Sequence, residues 1–342
     1  MKAIVKTQRA PGIEVLDVPR PEIGPTDILV RVATGSLCGS DAHIYEWTPS
    51  YHFMSLPTIL GHEFSGQIVQ VGSDVTHVQV GDRVSAIPSM ACGSCDNCRT
   101  GRSSACTARM GPGMSSDGFF AEYGRLTTAA NIFRLPEAVS YEAAALLEPF
   151  CVSLNAVDIS DFRIGLKTAV LGPGPIGLFA VQVLRAAGAA MVMMVGAEGD
   201  EKRLMVAEQL GADVSVNIAN DDAVARARAI SPRGFDIVYE ATGNPNSVPQ
   251  ALDMVRPGGK VVLIGIHSGP ATFDPTPMVR GSKSIVGAYS YTPETWRRAI
   301  ELFSNGTVNP EAVISHRVAL DEADVGFQLA LTKRAIKVLF VP

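Results

Sequence analysis

Two patterns of apolar residues divide the chain. In the first part, short runs rich in β-branched residues lie between Gly and Pro, as is typical of strands joined by turns; these runs are Ile28–Val32, Glu63–Val71 and Asp82–Ile87. The pattern changes near Pro149. From Lys167 onward short apolar runs alternate with helical patterns, and the predicted strands are Thr168–Leu171, Met191–Val195, Val214–Asn217, Phe235–Tyr239, Lys260–Ile264 and Ser284–Gly287. This alternation predicts an α/β fold with a doubly wound parallel sheet that helices cover on both faces.

The last part of the chain contains a predicted helix, Glu294–Ser304, and a predicted final strand, Ala335–Val341. A chain of 342 residues exceeds the usual size of one domain. We therefore expect a β-rich domain made of residues 1–150 and 293–342, and an α/β domain made of residues 151–292.

Composition and charge limit the partners. Hydrophobic residues make up 46% of the chain and charged residues 18%, which indicates a globular core. The formal net charge is −5 and no run of Lys or Arg occurs, so neither nucleic acid nor a membrane is an expected partner. No apolar run approaches the roughly 20 residues of a membrane-spanning helix, and the first residues lack a secretory signal pattern. The expected location is the cytoplasm, where cysteines stay reduced.

A glycine-rich turn follows the first strand of the predicted parallel sheet. The strand leads into Gly-Pro-Gly-Pro-Ile-Gly at residues 172–177, and a helical pattern follows. Glycines at this spacing permit a tight turn, close approach of a pyrophosphate and packing of the helix on the strand. Free amides at the start of the helix then face the phosphates. The predicted dinucleotide contacts are Gly172, Gly174, Pro175, Ile176 and Gly177.

The sequence leaves the choice of dinucleotide open. Glu198 lies 21 residues after Gly177, near the distance at which an acidic residue accepts hydrogen bonds from the adenosine ribose of NAD. The preceding strand, however, ends near Gly196, and Lys202 and Arg203 are close enough in sequence to hold the 2′-phosphate of NADP. We expect NAD, with NADP not excluded and an exposed loop position as the alternative for Glu198.

Four cysteines occur within fifteen residues, at Cys92, Cys95, Cys98 and Cys106. This spacing suits four thiolates around a tetrahedral Zn²⁺ ion better than it suits disulfides. Because four protein ligands leave no open coordination position, the predicted ion is structural.

A second set of candidate ligands is spread over the first 150 residues. Cys38 lies in Cys-Gly-Ser-Asp-Ala-His, His62 lies in Gly-His-Glu-Phe-Ser-Gly, and Glu148 precedes Pro149. One sulfur, one imidazole and one or two carboxylates could hold zinc and leave a position for water or an alcohol. The alternative is a buried cysteine beside an unrelated histidine.

Together these motifs resemble the zinc-containing medium-chain dehydrogenase/reductase family over essentially the full length, and within it the sorbitol (polyol) and L-threonine 3-dehydrogenase branch. The resemblance implies a GroES-like catalytic domain, a Rossmann domain, an active-site cleft between them, and a homo-oligomer, either a dimer or a tetramer. It also implies that Cys38, His62 and either Glu63 or Glu148 bind a catalytic zinc, which makes two zinc ions per chain.

The expected reaction is oxidation of a secondary alcohol on a small polar substrate. Zinc lowers the pKa of a bound hydroxyl, which makes transfer of hydride to a nicotinamide easier. Ser40 and His43, three residues apart, are the predicted proton relay, and the resemblance supports both positions; a surface histidine is the alternative for His43. The remaining histidines are expected at the surface or in packing roles: His52, His77, His267 and His316.

The substrate is predicted from short segments. Residues 148–152, Glu-Pro-Phe-Cys-Val, look more like the polyol branch, whereas residues 43–47 resemble the threonine dehydrogenases. We predict a polyol or sugar-related alcohol, with L-threonine as the alternative. A zinc-ribbon interaction module and a zinc-free quinone reductase-like NADPH binder are less favoured, because neither accounts for all four motifs.

Overall fold

The computed structural model describes residues 1–88, 91–102, 105–109, 111–127 and 130–342. Internal contacts divide the chain into two compact units. The first unit consists of residues 1–148, 292–306 and 314–342, and the second consists of residues 149–291 and 307–313. In the part of the chain that is described, no helix combines the length and apolar character that a membrane crossing requires.

The strands are β1 Lys2–Lys6, β2 Glu14–Asp17, β3 Asp27–Ser36, β4 Thr58–Ile59, β5 Glu63–Val71, β6 Arg83–Ala86, β7 Tyr123–Thr127, β8 Ile132–Arg134, β9 Lys167–Leu171, β10 Met191–Gly196, β11 Val214–Asn217, β12 Phe235–Glu240, β13 Val255–Leu263, β14 Ser284–Gly287, β15 Ile314–Ala319 and β16 Lys337–Val341. The helices are α1 Gly39–Tyr45, α2 Asp96–Arg99, α3 Tyr141–Ala145, α4 Leu147–Asp158, α5 Pro175–Ala186, α6 Glu201–Gln209, α7 Ala223–Ile230, α8 Ser247–Met254, α9 Thr276–Arg280, α10 Pro293–Ser304 and α11 Ala323–Leu331.

Strand β3 is the centre of the first unit. In the larger of its two sheets the order is β15-β16-β3-β5-β6-β8, with β7 also paired to β3, and the smaller sheet has the order β2-β1-β4. Alternate apolar residues of β3, including Ile28 and Val30, pack in one buried cluster with Phe64 and Ile68 of β5. All three strands that pair with β3 run antiparallel to it, and Ser36 lies opposite Glu63 of β5 and opposite Leu339 of β16. The end of β3, the start of β5 and β16 therefore lie side by side.

The second unit contains the predicted parallel sheet. Its described strands have the order β11-β10-β9-β12-β13-β14, and every neighbouring pair is parallel. Successive strands after β9 first extend the sheet on one side and then, from β12, on the other. The chain therefore reverses direction across the sheet between β9 and β12, and such a switch point is where doubly wound folds bind dinucleotides. The predicted fold class, a β-rich domain with a doubly wound parallel sheet, is confirmed.

The observed division differs from the predicted one at residues 307–313, which the sequence pattern places in the first domain. The side-chain oxygen of Gln182, in α5, accepts a hydrogen bond from the backbone N–H of Asn309 at 2.7 Å. Pro310 and Val313 are buried as well. The bond to Gln182 is one contact that ties this segment to the second unit, and a single hydrogen bond of this kind leaves no periodic signal in the sequence.

Candidate active site

Cys38, His62 and Glu63 come together because of the pairing of β3 with β5. Cys38 follows the end of β3 by two residues, Glu63 begins β5, and Ser36 and Glu63 are directly opposite each other. The cysteine sulfur, an imidazole nitrogen and a carboxylate oxygen all lie within 4.8 Å of one another. His62 and Glu63 are buried, whereas Cys38 is partly exposed. One sulfur, one nitrogen and one oxygen donor suit zinc and leave a fourth tetrahedral position open.

Asp41 contacts two of these candidate ligands. Cys38 is the N-cap of α1, and the Asp41 carboxylate accepts a hydrogen bond from its backbone N–H at 3.0 Å. The other Asp41 oxygen lies 3.5 Å from Nδ1 of His62, and the Asp41 side chain is fully buried. Nδ1 faces the carboxylate, so Nε2 remains for a metal ion, the arrangement common around zinc-binding histidines. Asp41 was not among the residues predicted from the sequence, although an acidic residue three positions after an N-cap is a recognisable capping signal.

The charged residues close to His62 are anionic. Burial alone would lower the pKa of His62, but Asp41 and Cys38 outweigh that effect and raise the pKa well above its usual value. The neighbours that favour a positive charge on the imidazole also favour a divalent cation at the same place. The donor atoms and the field therefore both fit a zinc ion.

Lys337, which the sequence analysis also missed, lies against this cluster. Its Nζ is 2.6 Å from Oε2 of Glu63 and donates a hydrogen bond to the Leu37 carbonyl at 2.8 Å. Burial would lower the pKa of Lys337, but Glu63 and Cys38 more than compensate and raise it. Lys337 is therefore a permanent buried cation that offsets part of the negative charge.

Glu148 lies outside the tight group of ligand atoms. The group with mutual distances within 4.8 Å contains Glu63 and not Glu148. Glu148 is nevertheless near enough to Lys337 to help raise its pKa. The geometry thus favours Glu63 as the carboxylate ligand, and Glu148 contributes a nearby negative charge.

The predicted relay residues have different surroundings. Ser40 Oγ lies 3.5 Å from Nε2 of His62, so its hydroxyl is beside the metal-facing nitrogen. His43 lies in the last turn of α1, is about half exposed, and is 4.0 Å from Glu46. Between them the structure places Tyr51, whose hydroxyl interacts with Ser40 and whose ring stacks on His43 at 6.4 Å between centroids. Burial, together with Cys38 and Asp41, raises the pKa of Tyr51 to about 12, so the phenol stays neutral.

The four cysteines of the second predicted site form a compact group. Four sulfur–sulfur distances are 3.5 Å (Cys92–Cys106 and Cys95–Cys98), 3.9 Å (Cys95–Cys106) and 4.0 Å (Cys92–Cys98). A tetrahedral ion with Zn–S bonds of about 2.3 Å needs sulfurs about 3.8 Å apart. All four cysteines are reduced. The group therefore has the dimensions of a closed, four-sulfur zinc site.

Hydrogen-bond donors favour the thiolate form of two of these cysteines, which is the form that binds a cation. The Cys92 sulfur accepts hydrogen bonds from the N–H of Cys95 at 3.4 Å and from the Ser94 hydroxyl at 3.6 Å. Such bonds lower the pKa of Cys92, and backbone bonds lower that of Cys95 to about 6. Burial and the neighbouring thiols raise the pKa of Cys98 to about 12. A bound cation would relieve that penalty.

The glycine turn has the expected geometry. Gly172 follows β9 with φ of +100°, a conformation that favours glycine. A Cβ on Gly177 would lie 1.9 Å from the Gly172 carbonyl, so only glycine lets α5 pack this close. A Cβ on Gly174 would meet no atom within 4 Å, which leaves open space at the N-cap of α5. Pro175 and Ile176 form the first turn of that helix.

The region after β10 is where the sequence left two positions open for Glu198. Strand β10 ends at Gly196, and Glu198 is exposed in the following loop. The buried acidic residue is Asp200, which accepts a hydrogen bond from the Ala197 N–H at 3.0 Å and pairs with Arg203 at 3.2 Å. Arg203 therefore forms an ion pair with Asp200, a residue that was not predicted from the sequence.

Comparison with known proteins extends these findings. The alcohol dehydrogenase GroES-like domain model matches residues 24–137, and the zinc-binding dehydrogenase model matches residues 175–305. An L-threonine 3-dehydrogenase of Bacillus licheniformis is 36% identical over 348 residues, with 100% of this chain and 99% of that protein covered. A zinc-binding dehydrogenase of Sinorhizobium meliloti 1021 bound to NADP has a TM-score of 0.92 at 31% identity. A 2R,3R-butanediol dehydrogenase of Bacillus subtilis has a TM-score of 0.91 at 30% identity.

Both structural comparisons cover 100% of this chain and 99% of the other. Because the similarity extends through both units, the chain belongs to the zinc-containing medium-chain dehydrogenase/reductase family and is a zinc-dependent, NAD(P)-linked alcohol dehydrogenase.

Proposed function

We propose that this enzyme oxidises a secondary hydroxyl of a small polyol or sugar-related compound to a ketone and passes the hydride to NAD(P). The observation that carries the proposal is the group of Cys38, His62 and Glu63, with three different donor atoms within 4.8 Å. Three ligands rather than four are what a catalytic zinc needs if a substrate oxygen is to approach it.

The proposal assigns a role to each group of residues. Cys38, His62 and Glu63 would hold the catalytic zinc, with Glu148 as the alternative carboxylate, and the four cysteines from Cys92 to Cys106 would hold the structural zinc. The turn at residues 172–177 would hold the dinucleotide phosphates. When bound, zinc supplies a Lewis acid that favours loss of the alcohol proton, and the nicotinamide accepts the hydride.

The proton would pass from Ser40 towards His43, the two residues predicted from the sequence, and Tyr51 would support both. Ser40 is beside the nitrogen of His62 that is available to a metal ion, and His43 is about half exposed. Tyr51 interacts with the Ser40 hydroxyl and its ring stacks on His43, so it would hold the two side chains in place while His43 exchanges protons with solvent.

A neutral polyhydroxy substrate fits the charge distribution better than an amino acid. Lys337 is the cation that lies against the cluster, and its ammonium is already engaged by Glu63 and by the Leu37 carbonyl. It is therefore not available to a substrate carboxylate. L-threonine is the second candidate, because the enzyme from Bacillus licheniformis named above is an L-threonine 3-dehydrogenase.

A substrate panel would test the choice. Reduction of NAD and of NADP would be followed at 340 nm with C4 to C6 polyols, vicinal diols and L-threonine. We expect turnover with at least one polyol. Turnover with L-threonine and with no polyol would contradict the first choice and establish the second.

Metal analysis would test the two zinc sites. We expect two zinc ions per chain in the wild type and one, with loss of activity, in Cys38→Ala. Cys151→Ala is a matched control, because Cys151 is a buried cysteine outside both ligand groups, and it should retain both ions. An unchanged zinc content and intact activity in Cys38→Ala would contradict the assignment. The homo-oligomeric state, dimer or tetramer, stays a prediction that light scattering would test.

A further inference from the structure

A buried carboxylate organises the end of β12 in the second unit. Glu240 is the last residue of that strand and is fully buried. Its Oε1 accepts hydrogen bonds from the N–H groups of Thr242 at 2.7 Å and Gly243 at 3.2 Å, from the Ser247 hydroxyl at 2.8 Å, and from the Thr242 hydroxyl. The other oxygen, Oε2, faces Nε2 of His267 at 3.2 Å.

These contacts join the loops after β12 and β13. The backbone N–H groups of Ile264 and Gly265 donate to the Glu240 carbonyl at 2.8 and 3.1 Å, and Ser268 N–H donates to the Gly243 carbonyl at 3.2 Å. Because all described strands of this sheet are parallel, both loops lie at its carboxyl edge. His267 is therefore fixed at the edge where doubly wound sheets bind their ligands.

The loop after β12 also contacts the glycine turn at residues 172–177. A Cβ on Gly172 would lie 2.8 Å from Cγ2 of Thr242, so the loop after β12 packs directly against the turn after β9. Strands β9 and β10 with α5 form one mononucleotide-binding half, and β12 and β13 belong to the other half across the switch point. His267 thus lies on the side that would receive the nicotinamide half of a dinucleotide.

The close contact with Glu240 decides the chemistry of the imidazole. Nε2 of His267 is buried 3.2 Å from Oε2 of Glu240. Both oxygens of a carboxylate are acceptors, and an unprotonated Nε2 would repel them, so the proton of the neutral ring is expected on Nε2. In the neutral ring Nδ1 is then an acceptor. No described residue hydrogen-bonds to Nδ1, and the side chain is 18% exposed. An acceptor with this orientation suits a hydroxyl group.

We propose that His267 contacts the bound dinucleotide, with Nδ1 accepting a hydrogen bond from a hydroxyl of the nicotinamide ribose, and that Glu240 is the positioning residue that sets this tautomer. The proposal rests on the dinucleotide site proposed at residues 172–177. It replaces the expectation that His267 has only a surface or packing role.

Equilibrium binding separates this role from a structural one. NADH and NADPH would be titrated by fluorescence, and AMP by calorimetry, into wild type, His267→Phe and the control His77→Phe, whose histidine is exposed in the first unit. Loss of one hydrogen bond should raise the Kd of the tighter dinucleotide about 5- to 10-fold in His267→Phe. The Kd of AMP should change less than about twofold, because AMP represents only the adenosine half. His77→Phe should match the wild type throughout.

Two binding results would overturn the inference in distinguishable ways. Wild-type dinucleotide affinity in His267→Phe, or an equal loss for AMP, would refute the role of His267 and leave the dinucleotide site in place. Failure of the wild type to bind NADH, NADPH and AMP would refute the site itself.

The tautomer gives a second test that does not use binding or activity. In protein labelled with ¹⁵N-histidine, at pH 8 and without cofactor, we expect the proton of His267 on Nε2. In Glu240→Gln the amide NH₂ can face the ring and should move the proton to Nδ1. A wild-type ring protonated on Nδ1 would contradict the proposal.

Discussion

The ammonium of Lys337 lies 2.6 Å from the Glu63 carboxylate, and the two side chains are 3% and 0% exposed. The pair connects β16 to the first residue of β5. In this position Lys337 competes with a metal ion for Glu63 and also lowers the repulsion between Glu63 and Cys38. The carboxylate is therefore held beside the metal position whether or not an ion is bound.

Lys337→Met should lower the free energy of unfolding of the zinc-free protein by about 3 to 5 kcal/mol, because it leaves a buried carboxylate without its counter-charge. Urea unfolding followed by tryptophan fluorescence would measure this, since Trp47 and Trp296 are both in the first unit. Lys2→Met is the control: its partner Asp321 is exposed, and little change is expected. Equal effects of the two substitutions would contradict the argument.

Asp41→Asn should weaken zinc binding at the proposed catalytic site about 10- to 100-fold, because the amide removes the negative charge that faces Nδ1 of His62 and has only one oxygen to accept from Cys38 N–H. Chelator competition would give the affinity. Asp222→Asn is a matched control, since Asp222 also caps a helix, α7, but lies far from any metal ligand in sequence. Unchanged zinc affinity in Asp41→Asn would show that Asp41 does not orient the ligands.

Substitutions in the glycine turn should separate stability from binding. Gly177→Ala should destabilise the second unit, because its Cβ would lie 1.9 Å from a carbonyl oxygen. Gly174→Ala should leave thermal stability nearly unchanged and raise the Kd of NADH at least about tenfold, since the new methyl group occupies open space beside the helix start. Calorimetry and fluorescence titration would check both. Unaltered NADH affinity in Gly174→Ala would place the phosphates elsewhere.

Tyr51→Phe should lower kcat about 10- to 100-fold, because it removes the hydroxyl that interacts with Ser40 while it keeps the ring that stacks on His43. Zinc content and NADH affinity should stay at wild-type values. Tyr45→Phe provides the comparison: this hydroxyl donates to Asp324 at 2.7 Å and takes no part in the relay. If kcat falls equally in the two variants, Tyr51 has no specific role in proton transfer.

Arg317→Ala should produce a pH-dependent loss of stability. Nε and Nη2 of Arg317 donate to the two carboxylate oxygens of Glu142 at 2.6 Å, and these bonds lower the pKa of Glu142. Since the folded pKa is below the unfolded one, this stabilisation is complete above pH 4.5 and is lost as the pH falls through the folded value. Because the pair is partly exposed, the expected effect at pH 7 is at most about 1 kcal/mol. A difference between the unfolding curves that persists at pH 2 would contradict this origin.

Sequence patterns predicted the parallel sheet closely, and the reasons are local. Val214–Asn217 and Ser284–Gly287 have the predicted bounds because short apolar runs end at clear turn signals. Strand β13 begins five residues before its predicted start, since Gly258 and Gly259 within it look like a turn. Strand β1 was missed: its Lys6 is fully buried, with Nζ bonded to the carbonyls of Ala10, Gly12 and Tyr45.

Only those residues of the candidate site that belong to a sequence motif could be predicted. Cys38, His62 and the four cysteines occur in recognisable spacings, so their chemistry could be inferred from residue type. Lys337 begins an apolar strand, where a lysine is expected to face solvent. Tyr51 and His267 act through contacts with residues outside their own segments. No periodic pattern encodes such contacts, because they depend on how separate elements pack.

The hydrogen bond between Lys337 and Leu37 spans 300 residues. During translation the anionic residues around Cys38 therefore leave the ribosome long before the cation that balances them. Strands β9–β14, in contrast, come from one continuous stretch between residues 167 and 287 and can pair as soon as that stretch emerges. Because pairing of distant segments is slow, the second unit should fold first on the ribosome, and the catalytic centre should be completed only when β16 joins β3.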